Sequence, residues 1–184
     1  TRSRKRTSAT SRVEPHTEAA WENLQDNLDK ALLPDGGYLE GVSYFTYTAR
    51  QAFLAAQLYG RGRGRNPRSL VSPALLRTDR LAEMLLSTDR DQDMILTGDA
   101  VFPVSEGLAF LAWLMPQSHW VTLYRKSTRR AGAAPLLLPR RLDREIPAEG
   151  PPLRSFCEMP DTGLMCSVRE HAGERVKLLV MGNR

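Results

Sequence analysis

The sequence predicts an α+β fold, helices first and strands last, and three observations predict it. Apolar residues recur at helical spacing through the first two thirds of the chain. Beyond Pro152 the apolar pattern alternates with a period of two, and a proline-rich stretch, 135–152, separates the two regimes. The chain has 184 residues, 41% hydrophobic and 26% charged, which is ordinary globular composition and enough for one substantial core or two small ones. The expected organisation is a basic, disordered arm over 1–16, a helical region over 17–134, the proline-rich linker, and a strand region over 153–184.

The elements follow in order. Trp21, Leu24, Leu28 and Leu32 mark an amphipathic helix over 17–33, which Pro34 terminates. Asp35-Gly36-Gly37 reads as a tight turn, Gly41 as a second flexible point, and Ser43 as an N-cap for a helix over 43–59. Tyr44 and Tyr47 then fall in the first turn of that helix. Three residues apart, they share a face that Thr48 and Gln51 continue, while Phe45, Phe53 and Ala56 form an apolar back. The run Gly60-Arg61-Gly62-Arg63-Gly64-Arg65-Asn66-Pro67 reads as a flexible basic loop. A third helix is expected over 70–87, with Leu75, Leu76, Ala82, Leu85 and Leu86 as its apolar set. A short apolar piece over 94–96 leads to Thr97-Gly98-Asp99. Further helices are expected over 105–115, with Ser105 as cap, and over 119–126.

Strands are expected over 153–159, 164–170 and 175–181, joined by turns at 160–163 and 171–174. A turn at 160–163 sets Met159 opposite Leu164 and Cys157 opposite Cys166. Opposed residues on antiparallel strands lie about 4.5–5.5 Å apart at Cα, so a cross-strand disulfide is geometrically allowed. The alternative is a pair of reduced cysteines acting as small core residues. Two cysteines without a nearby histidine do not form a metal site, and no cofactor is expected.

A formal net charge of +5 and a pI near 9.6 suit an acidic partner, a uronate polymer or a nucleic acid. Much of the charge sits in the arm (Arg2, Arg4, Lys5, Arg6, Arg12) and in the loop (Arg61, Arg63, Arg65, Arg68). No zinc spacing, aromatic ribonucleoprotein pattern or recognition-helix cue is present, which places nucleic acid last among partners. No run approaches the roughly 20 apolar residues of a membrane span, and no export signal is legible. Of the histidines, His16 lies near the chain start, His119 beside Trp120 reads as a surface or core-edge residue, and His171 sits in a turn.

The segment Asp35-Gly36-Gly37-Tyr38-Leu39-Glu40-Gly41-Val42-Ser43-Tyr44, with Tyr47 three residues on, resembles the signature of the heparinase II/III-like polysaccharide lyases and the related uronyl epimerases. A second stretch, Met159-Pro160-Asp161-Thr162-Gly163-Leu164, resembles the start of that family's β-domain. Thr97-Gly98-Asp99 resembles the family's cleft segment, with Ala100 where the family has serine. The resemblance implies an incomplete (α/α) toroid of helix hairpins followed by an antiparallel β-sandwich, with a saccharide cleft between them. It implies that Tyr44 is catalytic and that Glu40, Tyr47 and Asp99 contact substrate, an acidic polysaccharide. It also implies a periplasmic or secreted location. The family's catalytic histidines match no position here, so the chain reads as an internal fragment of a larger protein, inactive alone.

The implied chemistry is β-elimination. Removal of the C5 proton beside the uronate carboxylate expels the C4 oxygen, and the reaction needs carboxylate neutralisation, a base and an acid. A phenol of ordinary pKa about 10 suits the acid role as it stands; as base it needs cations or donors that favour phenolate. Arg50, six residues beyond Tyr44, points away from it on an ideal helix. Two alternatives stay open: a uronyl C5-epimerase of the same family, or a non-catalytic polyanion- or carbohydrate-binding module using the basic loop.

Overall fold

A computed structural model describes residues 9–38, 40–89, 92–95, 105–131 and 140–182. The fold is α+β. Its elements are α1 (Ala9–Ala31), α2 (Val42–Arg63), two short 3-10 turns (Pro67–Ser69 and Pro73–Thr78), α3 (Asp79–Leu85), α4 (Ser105–Leu114), α5 (His119–Ala131), α6 (Arg140–Glu145), β1 (Phe156–Met159), β2 (Leu164–His171) and β3 (Glu174–Met181). The strands form one antiparallel sheet in the order β1-β2-β3. No described helix is long and apolar enough to cross a membrane.

Helix α4 is the centre of the helical layer. Every residue from Gly107 to Leu114 is buried, because it is covered by α2 on one side and α5 on another. The approach to α2 depends on a missing side chain: a Cβ on Gly107 would lie 1.9 Å from the Thr46 carbonyl oxygen. Phe53 stacks on Phe110 at 4.6 Å, and Phe45 tilts against Trp120 at 5.5 Å. The buried Trp120 indole satisfies its N–H by donating to Thr78 Oγ1 at 3.1 Å. Cys157, Met159, Leu164 and Cys166 join the same hydrophobic cluster, so the inner face of the sheet and the helices share one core. The outer face, with Phe156, Met165, Val176, Leu178 and Val180, is exposed.

The strand register is the expected one, with Cys157 opposite Cys166 and Met159 opposite Leu164. Both thiols are free. Burial pushes the Cys157 thiol up to about 11, so it is a neutral core group at physiological pH.

Several helix boundaries differ from the spacing-based expectations. Helix α1 begins at Ala9, with Pro15 inside it, and ends at Ala31. Ser43 is not the N-cap. Helix α2 starts one residue earlier, its capping position is Gly41, and Ser43 Oγ is buried without a hydrogen-bond partner. The basic stretch is not a loop throughout, since α2 continues to Arg63 and stops at Gly64, which takes the left-handed conformation (φ 64). The expected helix over 70–87 breaks at Pro73. There Ser72 Oγ accepts from the Ala74 N–H at 3.0 Å and starts a 3-10 turn, leaving only Asp79–Leu85 as α-helix. Helix α5 extends past 126 to Ala131, and α6 lies inside the proline-rich stretch.

Two glycine substitutions separate packing from propensity. Gly107→Ala is expected to cost at least about 2 kcal/mol, because the Thr46 carbonyl is fixed within α2. Gly62→Ala, in α2 with nothing within 4 Å of its would-be Cβ, is expected to gain about 0.5–1 kcal/mol. Urea denaturation midpoints of the two variants should move in opposite directions.

Candidate functional site

The turn before α2 is built around one carboxylate. Asp35 Oδ1 accepts the Gly37 N–H at 3.0 Å, an Asx-type turn. The same oxygen accepts the Thr162 hydroxyl at 2.9 Å, while Oδ2 accepts the Thr162 N–H at 2.9 Å. Asp35 therefore ties the 34–37 turn to the β1–β2 turn, which are the two segments that carry the family resemblance. The glycines follow from that closeness. Gly36 has φ +89, and its Cβ would sit 2.1 Å from the Arg77 carbonyl oxygen; a Cβ on Gly37 would sit 1.6 Å from Thr162 Oγ1.

This joint sets where α2 begins and hence where its first turn points. Tyr44 and Tyr47 are 56% and 52% exposed, and Gln51 continues their face, whereas Phe45, Ala49, Phe53 and Ala56 are buried on the opposite side. The polar ledge and apolar back are as the spacing predicts. Among the described residues neither phenol makes a hydrogen bond. Glu40 is exposed and accepts the Tyr38 hydroxyl at 3.4 Å; Tyr38 in turn packs on Phe45, with ring centroids 5.5 Å apart. Arg50 Nε is buried without a partner, and nothing joins it to Tyr44. Asp99 lies outside the described residues. Tyr44, Tyr47 and Glu40 stand on an open face and line none of three clefts formed by the described residues.

One of those clefts, of about 570 Å³, lies at the joint and is lined by Asp35, Arg77, Arg80, His119, Pro152 and Arg154. Behind it is a buried ionic cluster that reading the sequence missed. Glu83, with a side chain 1% exposed, accepts the Arg154 backbone N–H at 2.8 Å and Nε at 2.7 Å, and its Oε2 also accepts from Arg154 Nη2. His119 is 4% exposed, not a surface residue. Its Nδ1 lies 2.9 Å from Asp79 Oδ1, and its Nε2 lies 3.3 Å from the Pro152 carbonyl and 3.7 Å from Glu83 Oε1. Lys177 of β3 donates to the Glu83 and Leu86 carbonyls at 2.5 and 2.9 Å, closing the end of α3. A signal for Glu83 was present: a lone carboxylate inside the apolar run Leu81-Ala82-Glu83-Met84-Leu85 must find a cation if the run is buried.

The cluster is a joint rather than a proton-transfer site. Burial alone pushes Glu83 up, but the Arg154 side-chain and backbone hydrogen bonds outweigh it and hold the carboxyl below its usual value. Burial likewise opposes a charge on His119, yet the Asp79 hydrogen bond and the Asp79 and Glu83 charges raise its pKa. Both ring nitrogens face acceptors, which favours imidazolium. A carboxylate held by three hydrogen bonds from Arg154 and a ring whose two nitrogens both face protein acceptors are committed to holding the segments together.

Comparison of the chain with protein-family models, curated proteins and solved structures found no match.

The joint makes two predictions. Thr162→Val, which removes one hydrogen bond to a buried carboxylate while keeping the shape, is expected to cost about 1–2 kcal/mol, and Asp35→Ala more; chemical denaturation measures both. In pH, the depressed Glu83 contributes stability above its ordinary value of 4.5 and loses it as pH falls through the folded pKa. The raised His119 contributes fully below 6.5 and loses its contribution as pH rises through its folded pKa. The melting temperature of the chain should therefore peak between about 4.5 and 6.5, and His119→Gln should flatten the alkaline limb chiefly, with a smaller loss on the acid limb because the His119 charge also helps to hold Glu83 down.

Proposed function

We propose that this chain is part of a uronic-acid polysaccharide lyase of the heparinase II/III-like kind, with helix hairpins belonging to an incomplete (α/α) toroid and β1–β3 belonging to a β-sandwich. The observation that carries the reading is the Tyr44–Tyr47 ledge. Two phenols without a hydrogen-bond partner among the described residues stand exposed in the first turn of a helix that follows a carboxylate–threonine joint to the sheet. Packing does not need these rings, since the core on the far side of α2 is complete without them.

In this reading Tyr44 donates a proton to the departing C4 oxygen or takes the C5 proton, while Glu40 and Tyr47 position the sugar. The cation that neutralises the carboxylate and the second proton-transfer group come from elsewhere in a larger protein, as does the opposite wall of the groove. Asp99 belongs to that groove in the same reading, and a periplasmic or secreted location goes with a polymer substrate of this kind. The epimerase variant differs in its second step: the C5 carbanion is reprotonated on its other face and the C4–O bond is kept.

The test is made on the parent protein with a uronate polysaccharide. Tyr44→Phe is expected to lower turnover at least about 100-fold, read as ultraviolet absorbance of the unsaturated uronate product, with little change in saccharide binding. The isolated 184-residue chain should give no such product. Solvent deuterium appearing at C5 without ultraviolet product would assign the epimerase instead. Full turnover by Tyr44→Phe would remove the phenol from the mechanism.

A further inference from the structure

The basic stretch at the end of α2 is left unused by the tyrosine ledge, and the structure divides its arginines into two kinds. Arg63 turns back to α1. Its Nε donates to Glu18 Oε1 at 2.9 Å, its Nη2 pairs with the same oxygen, and its guanidinium lies 3.8 Å over the Tyr59 ring, which itself stacks on Trp21 at 4.5 Å. Arg68 turns inward: it lies 4.2 Å over Trp113, its Nη2 donates to the Trp113 carbonyl at 2.6 Å, and the same nitrogen stands 3.7 Å from Glu145. The side chains of Arg61 and Arg65 make no hydrogen bond or ion pair among the described residues, and both are exposed; Arg65 is anchored through its backbone N–H, which donates to the Gly60 carbonyl at 3.0 Å, and its charge is felt at Glu18.

These two line a cleft of about 480 Å³ with Gln57, Asn66, Arg68 and Trp113. Gln57 and Arg61 are one helical turn apart on the same face of α2. Asn66 is oriented because its Oδ1 accepts the Arg68 N–H at 3.0 Å, leaving the amide NH₂ as a donor. Arg68, also in the lining, has its Nε buried without a hydrogen-bond partner among the described residues. The one carboxylate in the lining, Glu145, is engaged by the Trp113 N–H at 2.7 Å and faces Arg68, so it does not neutralise Arg61 and Arg65.

We infer that this cleft is an anion-binding site for the sulfate or carboxylate groups of an acidic glycan chain, separate from the tyrosine ledge at the other end of α2. Guanidinium forks match planar carboxylates and the paired oxygens of tetrahedral sulfates, and two amide side chains add neutral donors beside them. The geometry disfavours a single-stranded nucleic acid, which needs aromatic faces for its bases. Trp113 is the one aromatic in the lining; it is 5% exposed and its ring is covered by Arg68. From 44 to 61 along a helix rising about 1.5 Å per residue, the two sites lie roughly 25 Å apart, so one extended polymer could span both. The glycan class rests on the function proposed above; the anion site itself does not.

The experiment is calorimetric titration of the 184-residue chain with a sulfated, uronate-containing oligosaccharide at several salt concentrations. The double variant Arg61→Ser/Arg65→Ser is expected to bind at least about 10-fold more weakly, with a salt slope smaller by about 1.5–2, since two contacts no longer release counterions. Arg61→Lys/Arg65→Lys should keep the slope and lose affinity, because charge remains and the forks do not. The charge-matched Arg77→Ser/Arg80→Ser should bind as the parent chain does. Unchanged binding by the Arg61/Arg65 variant, or equal weakening by the Arg77/Arg80 control, would overturn the site. Tighter binding of a single-stranded oligonucleotide of equal charge would overturn the glycan assignment. An inactive parent protein with these bindings intact would count against the lyase reading alone.

Discussion

The Asp35 carboxylate, shared between its own turn and Thr162, is the constraint on which the rest of the layout depends. The turn after α1 lies so close to the 73–78 turn and to the β1–β2 hairpin turn that two consecutive residues must lack side chains, one against the Arg77 carbonyl and one against the Thr162 hydroxyl. Two hydrogen bonds from Thr162 to the buried Asp35 carboxylate hold the hairpin contact, and a third, from Gly37, shapes the turn itself. Because α2 starts only a few residues later, the joint also fixes the direction of its first turn. The exposed phenols inherit their position from a contact neither of them makes.

A second ionic cluster repeats the principle one layer deeper. Glu83 and His119 would each be costly to bury alone. Arg154 from the strand-side segment and Asp79 from α3 supply the missing charge, and Lys177 from β3 covers the exposed carbonyls where α3 ends. The apolar cluster around Cys157 and Met159 gives the sheet its attachment to the helices, but a hydrophobic face alone tolerates sliding. The directed bonds of Asp35 and Glu83 select one position. Removing Arg154 leaves the buried Glu83 charge uncompensated, and removing the Thr162 hydroxyl leaves the Asp35 carboxylate without one of its donors.

Much of this was legible in the sequence where one local rule acted alone. The sheet register followed from turn position and alternation, and the tyrosine face from helical spacing, because neither pattern has a competing local solution. The helix over 70–87 was misjudged because its apolar periodicity is real while Pro73 and Ser72 favour a 3-10 start, and backbone donors outrank periodicity at a proline. Ser43 looked like a cap because its residue type is right; a helix beginning one residue sooner places it inside the turn instead. The glycines of 36 and 37 announced a turn correctly, but their deeper reason, two close approaches across the fold, is a tertiary fact that no window of residues contains. Glu83 and His119 were missed on the same ground, since their partners lie far along the chain.

The basic stretch shows why a count of charges is a poor guide to binding. Read as composition, Arg61, Arg63, Arg65 and Arg68 are equivalent. In the fold, Arg63 is held by Glu18 and Tyr59, and Arg68 is laid on Trp113, so both act as packing groups with their charge largely answered. Exposed pairs of this kind contribute little to stability by themselves, but the aromatic contacts give each guanidinium a fixed place. Arg61 and Arg65 are the two whose side chains make no hydrogen bond or ion pair among the described residues, and they line the cleft. An anion approaching this end of α2 meets two exposed cations beside two guanidiniums already held in place, so fewer side chains need ordering when it binds.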